Sequence, residues 1–290
     1  MGNSLTSTSP RAGPSTSDSK GTTRRSRAVD SNSLLERTIR RDRWIVAASL
    51  LAVTLLAWVY LVRMAAEMGM PTSVGDAVAM AHLRPWDVGD FLLTLWMWVV
   101  MMVAMMLPSA APMILIFARV GRKASEEGHP FATTGSFTAG YLAAWAIFSL
   151  GATTLQWALD RAALLSPMMV AASPILGGAL LIAAGVYQLS PVKDACLKHC
   201  RSPVHFITQR WRRGTGGALR MGLEHGLFCV GCCWALMGLL FFGGVMNFVW
   251  IVGIAFFVLI EKVLPRGASA GRLTGGILVL LGLLVIATAR

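Results

Sequence analysis

All five cysteines of the chain fall in two short stretches, "DACLKHCRSP" (Asp194 to Pro203) and "EHGLFCVGCCWALM" (Glu224 to Met237). His199 and His225 lie in the same stretches, and His205 lies between them. Thiolates and thioethers are soft donors that suit Cu(I) best, and thiolates also suit Zn(II). Set on a helix at about 100° per residue, the second stretch places Cys229 at about 40°, Cys232 at about −20° and Cys233 at about 80° from His225. Met221 falls at about −40° on the same wheel. One stripe therefore carries a methionine, a histidine and three thiols. An isolated cysteine in an apolar helix acts as a small hydrophobe. A histidine sharing its face adds a polar cost that calls for a partner. Glu224, beside His225, is a weaker candidate that would carry a proton or tune the imidazole.

The first stretch reads C-x-x-H-C. On one helical turn Cys196 and Cys200 share a face, with His199 beside them. Pro191 suits the start of that turn and Pro203 its finish. The spacing differs from the C-x-x-C plus H-x-x-x-H pattern of zinc fingers. Lys193, Lys198 and Arg201 nearby would favour the thiolate form, which helps both metal binding and redox chemistry. A third group of soft atoms lies in "LWMWVVMMVAMMLPSAAP", where Met97, Met101 and Met105 recur every four residues and Met102 and Met106 form an adjacent row. Such a row is either packing or a set of Cu(I) ligands.

These residues sit in a chain of 290 residues that is 55% hydrophobic and only 14% charged. A soluble domain carries about 25% charged residues, so the composition points to lipid as the solvent. Seven apolar runs are candidates to cross about 30 Å of hydrocarbon. They are Trp44 to Val62, Phe91 to Phe117, Phe137 to Trp157, Met168 to Leu189, Ala218 to Phe242, Phe248 to Leu264 and Leu273 to Ala289. Pro108 and Pro112 would kink the second and free carbonyls for a neighbour or an ion. The expected fold is an all-α polytopic membrane bundle of about seven transmembrane helices.

The net charge of +12 is spread over the tail and alternate loops, which suits membrane orientation and not nucleic acid. Every second loop is basic, so the N-terminus is expected in the cytoplasm of a bacterial inner membrane, with the C-terminus outside. Residues 1–43 read as a disordered basic tail and 44–290 as the membrane domain. Within it, the ligand-rich loop 190–217 faces the cytoplasm and its cations face anionic lipid. Pro71 to Asp90 reads as a helix on the outer surface, with Trp86 at the headgroups.

The stretches "MWVVMMVAMMLPSAAP", "YQLSPVKDACLKHCRSP", "GALRMGLEHGLFCVGCCWALM", "GVMNFVWI" and "EKVLP" resemble the DUF2182 family of predicted metal-binding integral membrane proteins. The resemblance runs from about Phe91 to the last helix. It implies a metal site on Cys196, His199, Cys200, His225, Cys229, Cys232 and Cys233, and it supplies no substrate or direction of transport.

Three functions remain open. The first is copper handling, in which the loop thiols capture Cu(I) and pass it to His225, Cys229, Cys232 and the methionines, with a copper chaperone or an oxidase-assembly protein as partner. The second is a zinc-stabilised structural membrane protein. The third is a membrane thiol-disulfide oxidoreductase built on Cys229-x-x-Cys232, where an i,i+3 disulfide in a helix would strain the backbone. No nucleotide-binding, aspartyl-phosphate or hydrolase motif supports an enzyme.

Overall fold

The computed structural model describes residues 44–66, 86–126, 133–165, 173–265 and 267–289. The tail 1–43 and most of the segment Pro71 to Asp90 lie outside the described residues. The described chain is helical and forms no sheet.

Helix α1 is Trp44–Ala66. Leu51, Leu55, Leu56 and Val59 are exposed on it, while Ala57 and Leu61 are buried. An apolar face left open in this way is the side that lipid would cover. Helix α2, Val88–Glu126, runs unbroken through Pro108 and Pro112. It starts where Asp87 and Asp90 bond each other's main-chain N–H groups, at 2.8 and 3.1 Å, which satisfies donors that a helix start leaves open. Helix α3 is Thr134–Arg161, capped by the Thr133 hydroxyl.

Helix α4, Pro174–Gln188, and helix α5, Pro191–Arg201, each begin on a serine cap followed by proline. Proline fits the first helical position because its missing N–H would be unpaired there. The Ser190 cap ends one helix direction and starts another, and the two axes differ by 63°. Helix α6 is Pro203–Arg210 and α7 is Gly214–Gly238, followed by the short α8, Leu240–Gly243. The segment 190–217, expected as a loop, thus holds two helices and the start of a third. Helix α9 is Phe248–Val263 and α10 is Gly267–Thr288.

Among the described residues, five helices are long and apolar enough to cross a membrane: α1, α2, α3, α7 continued through Gly243, and α10. Counting the bent pair α4 and α5 as one span makes up to six. Helix α9 accounts for the difference from seven. Its 16 residues reach about 24 Å at 1.5 Å per residue, and its last turn carries the buried pair Glu261 and Lys262.

Two helix pairs approach closely through glycine. A Cβ at Gly222 of α7 would come 1.9 Å from the Phe137 carbonyl oxygen, and one at Gly140 of α3 would come 2.0 Å from that of Leu219. Gly226 follows one turn later against Tyr141 and Ala144. This is the small-residue spacing that lets membrane helices touch backbone to backbone. It seats the thiol face of α7 directly on Tyr141 of α3. Gly185 and Gly275 do the same for α4 and α10.

Candidate metal centre

Helix α7 presents Met221, His225, Cys229, Cys232 and Cys233 to the interior, all buried. The stripe read from the sequence is therefore the inward face of the helix. Cys229 lies at its middle, with three neighbours from other helices. The Tyr141 hydroxyl of α3 is 3.1 Å from its sulfur and also donates to the Met106 carbonyl of α2 at 3.1 Å. The Lys262 ammonium of α9 donates to the same sulfur at 2.8 Å and to the Ser109 hydroxyl at 3.1 Å. Beside Cys229 and Cys232 stands the thiol of Cys200, from α5. The Cys233 sulfur lies 3.9 Å from that of Met106.

All five cysteines are free thiols. Cys232 and Cys233 donate to the carbonyl of Cys229, at 3.1 and 3.0 Å. Each sulfur is thus turned back along its own helix. This explains why, among the described residues, no group of three or more His, Cys, Asp and Glu side chains is arranged to hold a metal ion. The thiols are neighbours, but they do not point at one centre. A χ1 rotation about each Cα–Cβ bond, between staggered wells, gives up only a weak S–H bond to a carbonyl.

His225 is 3% exposed. It sits among the rings of Phe137, Tyr141 and Phe206, with centroids 6.1, 5.8 and 5.4 Å away. Its Nδ1 has no hydrogen-bond partner among the described residues. Buried polar atoms are almost always paired, and this nitrogen, one turn from Cys229, is an exception.

Helix α5 brings the first stretch to this face. Lys193 and Leu197 are buried on its inward face, and Cys200, one turn on, is half-buried. The sulfur of Cys196 rests against Gly231, where a Cβ would come within 2.9 Å of it. His199 stacks flat on Phe228 of α7, with ring centroids 4.3 Å apart and planes 3° apart. Arg201 donates to the carbonyls of Leu264 and Pro265, at 2.5 and 2.7 Å. Asp194 pairs with Arg272 at 2.7 Å.

Several expected neighbours are engaged elsewhere. Lys193, expected beside the loop thiols, is buried and bonds Gln188 and Glu261. Glu224 faces Arg210, Arg212 and Arg220, at 3.2, 3.2 and 3.3 Å. Met97, Met101 and Met105 are buried in the core, and Met106, in the adjacent row, has its sulfur 3.9 Å from that of Cys233.

Lys262 and Tyr141 were not picked out from the sequence. In the sequence, Glu261 and Lys262 of "EKVLP" stand at the end of an apolar run, where charges either pair or reach for the headgroups. The available signal was the cost of an ionisable group within an apolar run, which favours an inward partner.

Residues 95–285 match the family model PpoB2, described as a copper chaperone. The chain belongs to this family. The matched stretch includes every residue of the thiol face and its partners on α2, α3, α5 and α9. No curated protein and no solved structure matches the chain. The DUF2182 resemblance covers the same part of the chain. Copper handling is thus the chemistry of the PpoB2 family, and the long apolar helices are compatible with an integral membrane protein.

Proposed function

We propose that this PpoB2 protein is an integral membrane Cu(I) chaperone. Its cargo is held by thiols of α5 and α7 and is passed on by ligand exchange. The observation that carries the reading is the position of Cys200 beside Cys229 and Cys232. Two stretches separated in the sequence place their thiols side by side in a buried patch, with the Met106 sulfur next to Cys233 and the unpartnered His225 nitrogen one turn away.

Cu(I) favours such donors and low coordination numbers. It moves between thiolates through a shared intermediate, so no bare ion enters the apolar interior. Cys196 and Cys200 of α5 take the ion first. Cys229, Cys232 and Cys233 then receive it once their side chains rotate off the Cys229 carbonyl. His199, stacked on Phe228, lines the entry. The entry side is the cytoplasm of a bacterial inner membrane, as the basic loops suggest. The onward partner is a copper-accepting protein, such as an oxidase under assembly.

The test is elemental analysis of detergent-purified, anaerobically handled protein grown with copper and zinc both supplied. Wild type should carry copper. Cys229→Ala with Cys232→Ala, and separately Cys196→Ala with Cys200→Ala, should each lose most of it. Zinc in wild type, or copper that survives both double substitutions, would contradict the reading.

A further inference from the structure

Lys262 is 8% exposed, and its ammonium has a thiol and a hydroxyl as partners, not a carboxylate. The one carboxylate on its helix, Glu261, is bonded to Lys193. A buried ammonium needs compensating negative charge. Besides Cys229 and Ser109, the charged or titratable groups around Lys262 are Cys232, Cys233, Tyr141, His225 and Glu261, the last already held by Lys193. The cation is thus built into the same patch that would hold the cargo.

The geometry points to Lys262 as a specificity-determining residue: its fixed positive charge beside Cys229 makes the thiol site favour a monovalent soft cation over a divalent one. This inference rests on the copper reading of that site. For any given number of thiolates, a metal bound to Cys229 lies a few ångströms from the ammonium. A divalent ion meets twice the repulsion that a monovalent ion meets. Thiolates suit Cu(I) best but also bind Zn(II), so the added cation widens a discrimination that the ligands already make. One further unit of charge at about 5 Å, with an effective dielectric constant of about 20, corresponds to a preference on the order of a hundredfold.

The experiment measures Cu(I) and Zn(II) affinities of the full-length protein in detergent by competition with a chromophoric chelator for each ion. It compares wild type with Lys262→Met, Lys262→Gln and Lys262→Arg. Gln keeps a donor for Cys229 and Ser109 while removing the charge. It also keeps the test open if the Met variant does not fold. Lys262→Gln and Lys262→Met should shift the Cu(I)-to-Zn(II) affinity ratio toward zinc by tenfold or more, and Lys262→Arg should hold the wild-type ratio. Copper bound through the thiols with the ratio unchanged in the Gln variant would overturn this inference and leave the copper reading standing. Wild type that binds no Cu(I) would overturn both.

Discussion

Cys229 is the atom on which the centre turns. Its sulfur meets Tyr141 and Lys262, and its carbonyl holds Cys232 and Cys233. The types and spacing of these thiols were legible in the sequence, because a period of 3.6 residues puts 225, 229, 232 and 233 on one face. Lys262 was not legible as a partner of Cys229. A charge at the end of an apolar run can go to the headgroups or turn inward, and the contact that decides lies 33 residues away. Tyr141→Phe removes bonds to the Cys229 sulfur and the Met106 carbonyl. It should lower stability by about 1–2 kcal/mol, read as a lower melting temperature in detergent with copper content retained. Glu224→Gln should leave copper stoichiometry unchanged and cost at most about 1 kcal/mol, because exposed ion pairs contribute little. Copper loss in that variant would instead place Glu224 among the ligands.

At the scale of elements, glycines and buried charges hold the centre in place. Gly140, Gly222 and Gly226 bring α3 and α7 together so that Tyr141 reaches Cys229. Gly222→Leu should force the two helices apart. The check is alkylation of Cys229 in detergent, which should be slow in wild type and several-fold faster in the variant; equal rates would refute the close contact. Helix α5, the element that carries Cys196 and Cys200, is held by the buried pair of Lys193 and Glu261. Glu261→Ala leaves Lys193 buried without its partner and should cost about 3–5 kcal/mol, read as a large drop in melting temperature or in folded yield. The helix start at Pro191 was legible, since proline suits the first turn of a helix. The inward turn of Lys193 was not, because its helix gives no hint that Glu261 faces it.

For the whole molecule, the all-helical architecture followed from composition and from the length of the apolar runs. The count did not follow as directly. Hydropathy treats Phe248 to Leu264 like the other runs, whereas in the structure it is a 16-residue helix whose last turn points charges into the bundle. The convergence of α5 on α7 was also beyond the sequence, because nothing local shows where a helix swings after a 63° bend. The two cysteine stretches are separate in the sequence, and only the fold makes Cys200 a neighbour of Cys229 and Cys232. Copper K-edge absorption spectroscopy on the anaerobically purified protein, loaded with one equivalent of Cu(I), tests that convergence most directly. The account predicts an edge of monovalent copper with sulfur as the dominant neighbour, and loss of that sulfur signal when Cys200, Cys229 and Cys232 are replaced by serine together. Copper surrounded mainly by oxygen or nitrogen, or a sulfur signal that survives the triple replacement, would contradict it.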